Sequence, residues 1–326
     1  MIVCFPAGYI VCTGTVPVSN SAVTAFRGGV NLPRKARSFK TTLPVEYTAG
    51  EDHRYIDLKG VRISYKVSGG GPPLVFHHGW IGNEDTFAMC HQEFARYYTV
   101  YRPAWPGYGD SSPLKRFSIE DLAELSREFI ERLGLQGAVM IGNCLGGNVA
   151  MELARAHPRL ISRLVLVEVY DFFPGAYRLL LVPGLNRILY DLLFKTGAGF
   201  SLLNTFMPLQ MTNGNNGWEY TREGFLRTNT GCALEYLRAI YHYSRSEKNR
   251  YRAHYRSDIP AIYVSGGKTF GPAAEFGKIV AILFKNLAVV SIPEGLHNPV
   301  VEQPGAFSEK VLEALGFPAK APMAGR

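Results

Sequence analysis

The first 45 residues contain no acid: the first Asp or Glu is Glu46, whereas Arg27, Arg34, Lys35, Arg37 and Lys40 precede it. Those five bases carry five of the eight net positive charges, leaving +3 for the rest of the chain. So small a surplus, with no basic stripe interleaved with aromatics, gives no support to a nucleic-acid partner. No apolar run reaches the roughly 18–20 residues that span a bilayer, so stable membrane insertion is not expected. Cysteine is scarce and scattered. Cys4, Cys12, Cys90, Cys144 and Cys232 are odd in number and form neither a CxxC pair nor a metal-ligand spacing, which argues against a disulfide scaffold and a metal. Such usage suits a reducing compartment. There is no phosphate-binding glycine loop, hence no implied cofactor, and no internal repeat.

What is present is the composition of a packed globular protein: 326 residues, 47% hydrophobic and 19% charged. The acid-free residues 1–45 stand apart as an extension, with eight Ser/Thr and breaks at Pro6, Pro17, Pro33 and Pro44. That pattern fits an organelle (plastid or mitochondrial) transit peptide as well as it fits a disordered extension or a misassigned start. A secretory signal fits less well, because no positive charge precedes the apolar stretch Met1–Val18.

From Arg54 onward strands and helices alternate. Arg54–Leu58 and Val61–Val67 form an expected hairpin, and Pro73–Phe76 is apolar enough to be buried on both faces. Glu84–Arg96 has helical spacing and Tyr98–Tyr101 is strand-like. Ser118 caps a helix whose apolar positions Leu122, Leu125, Phe129, Ile130 and Leu133 recur at three and four residues. Strands at Ala138–Ile141, Leu164–Val169, Ile259–Val264 and Ala288–Ile292, with helices to His157, around Ala273–Phe284 and near Ala306–Leu315, complete the rhythm of a doubly wound, mostly parallel α/β sheet. It breaks between Phe172 and Ser257, which holds helical patches at Leu179–Phe194 and Ala233–Tyr243 and a polar connector, Thr212–Gly217. Residues 236–256 are rich in Tyr and Arg, fitting either a pocket for an acidic or aromatic group or a solvated amphipathic helix face.

Gly142-Asn143-Cys144-Leu145-Gly146 follows the apolar run Ala138–Ile141 and opens a helix-like stretch. This is the strand, sharp turn and helix of a nucleophile elbow, with cysteine where serine usually stands. Presentation above a helix N-terminus favours a thiolate. Two further motifs accompany it: His77-His78-Gly79-Trp80 after Pro73–Phe76, and Gly295-Leu296-His297-Asn298-Pro299 after the last strand.

On these motifs, and on the turn Pro106-Gly107-Tyr108-Gly109-Asp110-Ser111, the chain from about Tyr55 to Phe317 resembles the alpha/beta-hydrolase superfamily. The resemblance implies a core of residues 50–171 and 258–317, with a helical cap at 172–257. It implies Cys144 as nucleophile, His297 as general base, and the backbone N–H groups of Leu145 and Trp80 as oxyanion hole, the Trp80 indole lining the acyl pocket. His78 would hold its loop rather than act in proton transfer.

The acid departs from the commonest family pattern. Thr269 stands near the position after the seventh strand where an aspartate is usual. Some members place the acid after the sixth strand instead, and Glu168 matches that position. Asp171, or a Cys–His pair with no acid, are the alternatives.

A cysteine nucleophile suits acyl transfer, because a thioester is readily cleaved, whereas dehalogenase or epoxide-hydrolase chemistry would leave a stable thioether. The expected activity is therefore hydrolysis of a small or medium ester, lactone or thioester, with a small-molecule acyl substrate. An acyltransferase on the same residues, or an inactive ligand-binding protein of the same fold, are the rivals. The sequence sets no oligomeric state.

Overall fold

The computed structural model describes residues 52–171, 173–206, 216–246, 256–269 and 271–317, all within one unit, Tyr47–Arg326. The expected extension 1–45 lies outside the described residues.

Among the described residues, eight strands form one sheet: β1 (Asp52–Leu58), β2 (Val61–Gly69), β3 (Pro73–His77), β4 (Thr99–Pro103), β5 (Ala138–Asn143), β6 (Ile161–Val167), β7 (Ala261–Gly266) and β8 (Leu287–Ile292). Their order is β1-β2-β4-β3-β5-β6-β7-β8. The β1–β2 hairpin and the β2–β4 pair are antiparallel, and from β4 through β8 every pair is parallel. The register aligns the carboxyl ends: Asn143 pairs Val167, Val167 lies one residue before Glu168, and Gly266 pairs Ile292. Residues just beyond β5, β6, β7 and β8 therefore emerge along one edge, where open α/β sheets place their ligands.

Alternation along the strands fills two layers. Met140, Leu164 and Leu166 face one core, together with Leu122, Leu125, Phe129 and Ile130 of α2 (Ile119–Arg132) and Val149 and Leu153 of α3 (Leu145–Ala156). Val139, Ile141, Val165 and Val167 face the other, with Phe94 of α1 (His91–Ala95) and Phe307 and Val311 of α10 (Pro304–Ala314). Ser118 caps α2 as expected: its hydroxyl accepts from Asp121 N–H at 3.1 Å, and Asp121 Oδ2 accepts from Ser118 N–H at 2.8 Å.

Several boundaries differ from expectation, β7 among them, which runs Ala261–Gly266 rather than Ile259–Val264; two have a clear local cause. Glu84–Arg96 is not one helix but a 3₁₀ turn, Glu84–Phe87, followed by α1; the Asn83 side chain caps the first piece, and the chain turns again at Ala88–Cys90. Strand β6 runs Ile161–Val167 rather than Leu164–Val169, because Glu168 has φ +50°, which ends an extended strand.

Between β6 and β7 the described residues are helical: a 3₁₀ stretch, Gly175–Leu181, then α4 (Asn186–Phe194), α5 (Gly197–Phe206), α6 (Asn216–Arg227) and α7 (Thr230–Arg245). Tyr177, Leu180, Tyr190, Phe194, Phe225, Ala233, Leu234 and Leu237 form a third apolar cluster that also takes in Trp80. Of the Tyr/Arg-rich residues, Tyr236 and Tyr243 are buried and anchor α7, donating hydroxyl hydrogen bonds to Pro106 O at 3.1 Å and Glu152 Oε1 at 3.0 Å. Arg238 pairs with Glu235. Arg250, Tyr251, Arg252 and Tyr255, like Thr212–Asn215 of the connector, lie outside the described residues. Between β7 and β8 runs α8 (Gly271–Leu283), and Pro299–Glu302 forms a single turn, α9.

Candidate active site

Cys144 sits where β5 turns into α3, with φ +52° and ψ −118°. That conformation is costly for any residue with a Cβ, and the tight packing around it demands small neighbours. A Cβ on Gly146 would lie 2.0 Å from the carbonyl oxygen of His77, so α3 starts directly against the end of β3. Across the turn, a Cβ on Gly79 would lie 3.1 Å from Cys144 Cβ and 3.7 Å from its Sγ. The loop after β3 is thus in contact with the cysteine. Cys144 N–H donates to Val167 O at 2.8 Å, tying the turn to β6. The thiol is partly exposed.

His297 reaches the same point from the loop after β8. Its imidazole stands beside the Cys144 side chain, and its Nδ1 lies 3.3 Å from Glu168 Oε2. Burial pulls the imidazolium down, but the hydrogen bonds and charges of Cys144 and Glu168 outweigh it and raise His297 to about 10. Glu168 is wholly buried. Its carboxylate accepts from His297, from Gly266 N–H at 2.6 Å and from the hydroxyl of Thr269, which satisfies a group that burial alone would penalise. The structure therefore brings Cys144, His297 and Glu168 together, with Thr269 donating to the same carboxylate oxygen, Oε2, that His297 meets.

Trp80 follows Gly79, which packs against Cys144, and Leu145 follows Cys144 at the start of α3. Neither of their N–H groups meets an acceptor among the described residues. The Trp80 indole lies in the third apolar cluster, its centroid 5.4 Å from Phe225 and 5.8 Å from Phe194, and its Nε1–H donates to Ala233 O at 3.2 Å. It ties the β3 loop to α7.

His78 is buried and bonded on both ring nitrogens. Nε2 accepts from Trp105 N–H at 3.0 Å, which leaves Nδ1 to donate to Gly79 O at 2.9 Å. Burial lowers it to about 4, with the Gly79 bond acting weakly the other way. It is a neutral brace of the loop.

Three contributors lacked a clear signal in the sequence. The Tyr170 side chain lies near Cys144, its ring stands edge-on to His297 at 5.3 Å, and burial first, then the nearby Cys144, raises its phenol well above the ordinary value. A tyrosine just past a buried strand resembles any core aromatic. Glu302 is buried, and its carboxylate accepts from Asn298 N–H at 2.8 Å and from Leu296 N–H, bracketing His297 on both sides. Burial raises its pKa despite those bonds. An acid five residues after a loop histidine was the available clue. Asn143, next to Cys144, donates to Asn298 Oδ1 at 3.1 Å and so links the β5 turn to the histidine loop.

A mostly parallel sheet with a strained turn after its central strand, and a histidine loop folded over that turn, defines an α/β protein of the hydrolase architecture. The chain belongs to the alpha/beta hydrolase fold family, whose model matches residues 72–304. A stretch of 124 residues is 32% identical to the soluble epoxide hydrolase of Corynebacterium sp., covering 38% of this chain and 42% of that protein. Another of 103 residues is 34% identical to the pimeloyl-(acyl-carrier protein) methyl ester esterase of Vibrio cholerae, covering 32% of this chain and 39% of that one. The chain thus spans less than half the length of either relative. A hydrolase from Pseudomonas aeruginosa shares the fold with a TM-score of 0.67 at 24% identity, over 83% of this chain and 100% of that chain.

Proposed function

We propose that this chain is a hydrolase of small or medium esters, lactones or thioesters that works through an acyl-cysteine intermediate. The observation that carries the reading is the placement of His297 beside Cys144 with its Nδ1 on Glu168. The Cys144 thiolate attacks the substrate carbonyl carbon, and the Leu145 and Trp80 N–H groups hold the oxyanion that forms. Collapse of the intermediate expels the leaving group, which takes a proton from the His297 imidazolium and leaves Cys144 as a thioester. Neutral His297 then takes a proton from water, the hydroxide adds to the thioester, and the thiolate departs with the acid product. Glu168 orients the imidazole and stabilises its charged form. The helices between β6 and β7 act as a cap over the acyl pocket, with Trp80 on its wall.

The relatives include an epoxide hydrolase and a methyl ester esterase. Cysteine favours the second chemistry: opening an epoxide at sulfur leaves a thioether that water does not cleave, while a thioester turns over. Intact-mass spectrometry after mixing with a panel of activated acyl esters tests the reading. Wild type is expected to gain an acyl adduct, at least transiently, Cys144→Ala to gain none, and His297→Ala to form it far more slowly. Identical behaviour of wild type and Cys144→Ala across the panel would remove covalent acyl transfer and favour an inactive ligand-binding protein. Transfer of the adduct to an added alcohol or thiol faster than to water would favour an acyltransferase.

A further inference from the structure

Exposed apolar surface is concentrated on one part of this protein. Among the described residues, eleven large hydrophobic side chains are strongly exposed, and six of them fall between Leu179 and Leu202. Leu185, Ile188 and Leu192 recur at three and four residues, which makes them one stripe along α4. Ile188 is 66% exposed and Leu192 56%. Leu179 and Val182, just before the helix, are exposed as well. The other face of α4 carries Tyr190 and Phe194, both buried against Phe225 and Trp80. The helix is thus apolar on two faces, and among the described residues only one of them has a partner. A helix with that pattern is normally enclosed on both sides or lies at an apolar boundary.

Charge distinguishes the possible occupants. Residues 172–257 carry eleven Lys/Arg against five Asp/Glu. They hold a net +6, whereas residues 46–171 and 258–326 together are net negative, at −3. Around the stripe itself, Arg178, Arg187 and Lys195 face a single acid, Asp191. A second copy placed face to face through this region would set one cationic surface against another, since a two-fold interface pairs each patch with itself. An anionic surface complements both the apolar stripe and its basic flanks. No described helix is long and apolar enough to cross a membrane, so contact would be along the plane of a bilayer.

We propose that the face formed by Leu179, Val182, Leu185, Ile188 and Leu192 docks on an anionic lipid surface. The aliphatic side chains enter the boundary between headgroups and acyl chains, and the neighbouring Arg and Lys side chains meet lipid phosphates. The proposal is independent of the reaction assigned to Cys144. It places the outer face of α4 on lipid while the inner face packs on Trp80, next in sequence to Gly79 of the loop that touches the cysteine.

Flotation of the full-length chain with vesicles tests it, comparing phosphatidylcholine alone with phosphatidylcholine containing about one third phosphatidylglycerol. The informative variant is Leu185→Ser/Ile188→Ser/Leu192→Ser, which leaves every charge, including those of residues 1–45, in place. All three side chains are exposed or nearly so, and circular dichroism and urea unfolding are expected to match wild type. Wild type is expected to float with the anionic vesicles and far less with the neutral ones, and to be released by high salt. The triple variant should need about tenfold or more lipid for half-maximal binding. The proposal is overturned if wild type binds neither vesicle, or if the triple variant binds anionic vesicles as tightly as wild type, which would assign the binding to another part of the chain. It is also overturned if light scattering finds a dimer that the triple variant abolishes while neither protein floats, which would make a second copy the occupant.

Discussion

The Thr269 hydroxyl donates a hydrogen bond to Glu168, so the residue near the position where the resemblance led us to expect an acid holds a carboxylate from the neighbouring strand end. The two strand ends lie side by side in the sheet, with Val167 paired to Val264. Glu168→Gln is expected to lower the rate of acyl-adduct formation about 10³-fold, because a neutral amide cannot stabilise the imidazolium. Thr269→Val removes one of three bonds to the same carboxylate and should cost about tenfold. Adding Thr269→Asp to Glu168→Ala is expected to recover part of the lost rate. A Glu168→Gln enzyme as fast as wild type would remove the acid from the assignment.

Glu302 is expected to act by positioning. Glu302→Gln keeps one acceptor for the two N–H groups of Leu296 and Asn298 and leaves one of them short of a partner. A loss of about 1–3 kcal/mol in urea unfolding is expected. The kcat should fall with little change in KM, since His297 is displaced and the acyl pocket is not. A change in KM alone would place Glu302 outside the histidine's support.

Acid should loosen the loop after β3. His78 is held down at about 4 by burial, so the unfolded chain binds its proton first as pH falls. Its contribution is complete above about 6.5 and lost as pH drops towards 4, amounting to about 3 kcal/mol. Urea midpoints should therefore decline between pH 6.5 and 5, before most carboxylates titrate, and the decline should be shallower in His78→Asn. His297 has the opposite sign: raised to about 10 in the folded protein, it contributes fully below about 6.5 and is lost as pH rises through 10. In NMR its ring protons should shift near pH 10 in wild type and nearer neutrality in Glu168→Gln.

Gly146→Ala probes the packing of the turn. Its new Cβ would lie 2.0 Å from His77 O and 2.7 Å from His78 O, both rigid backbone, so α3 must move away from β3. A destabilisation of about 3 kcal/mol is expected, with slower labelling of Cys144 by a thiol reagent. Wild-type stability in this variant would show that α3 can shift freely.

The sheet was legible because its signals are local. Apolar runs at Pro73–Phe76 and Ala138–Ile141, the Ser118 cap and the glycines around Cys144 each dictate backbone shape through nearby residues. The β6 boundary misled because Leu164–Val169 is continuously apolar or strand-favouring except for Glu168, and nothing in that run announces a left-handed residue. Cys144, His297 and Glu168 were placed from motif order and strand ends. The bond from Thr269 to Glu168 joins residues 101 positions apart and has no local signal. Tyr170 was hidden for the same reason, since its partner Cys144 lies on a different strand end.

Cys144 and Glu168 share one further property, a left-handed backbone, with φ of +52° and +50° on adjacent strand ends. Each is a place where glycine would relax the chain by about 1–3 kcal/mol. The fold therefore keeps a sulfur and a carboxylate at two positions where a chain shaped for durability alone would carry neither. Cys144→Gly makes this measurable without any substrate: a variant that melts higher than wild type while losing the label at position 144 would show that the side chain is held against the interest of the scaffold. Activity and robustness would then be competing demands at a single residue.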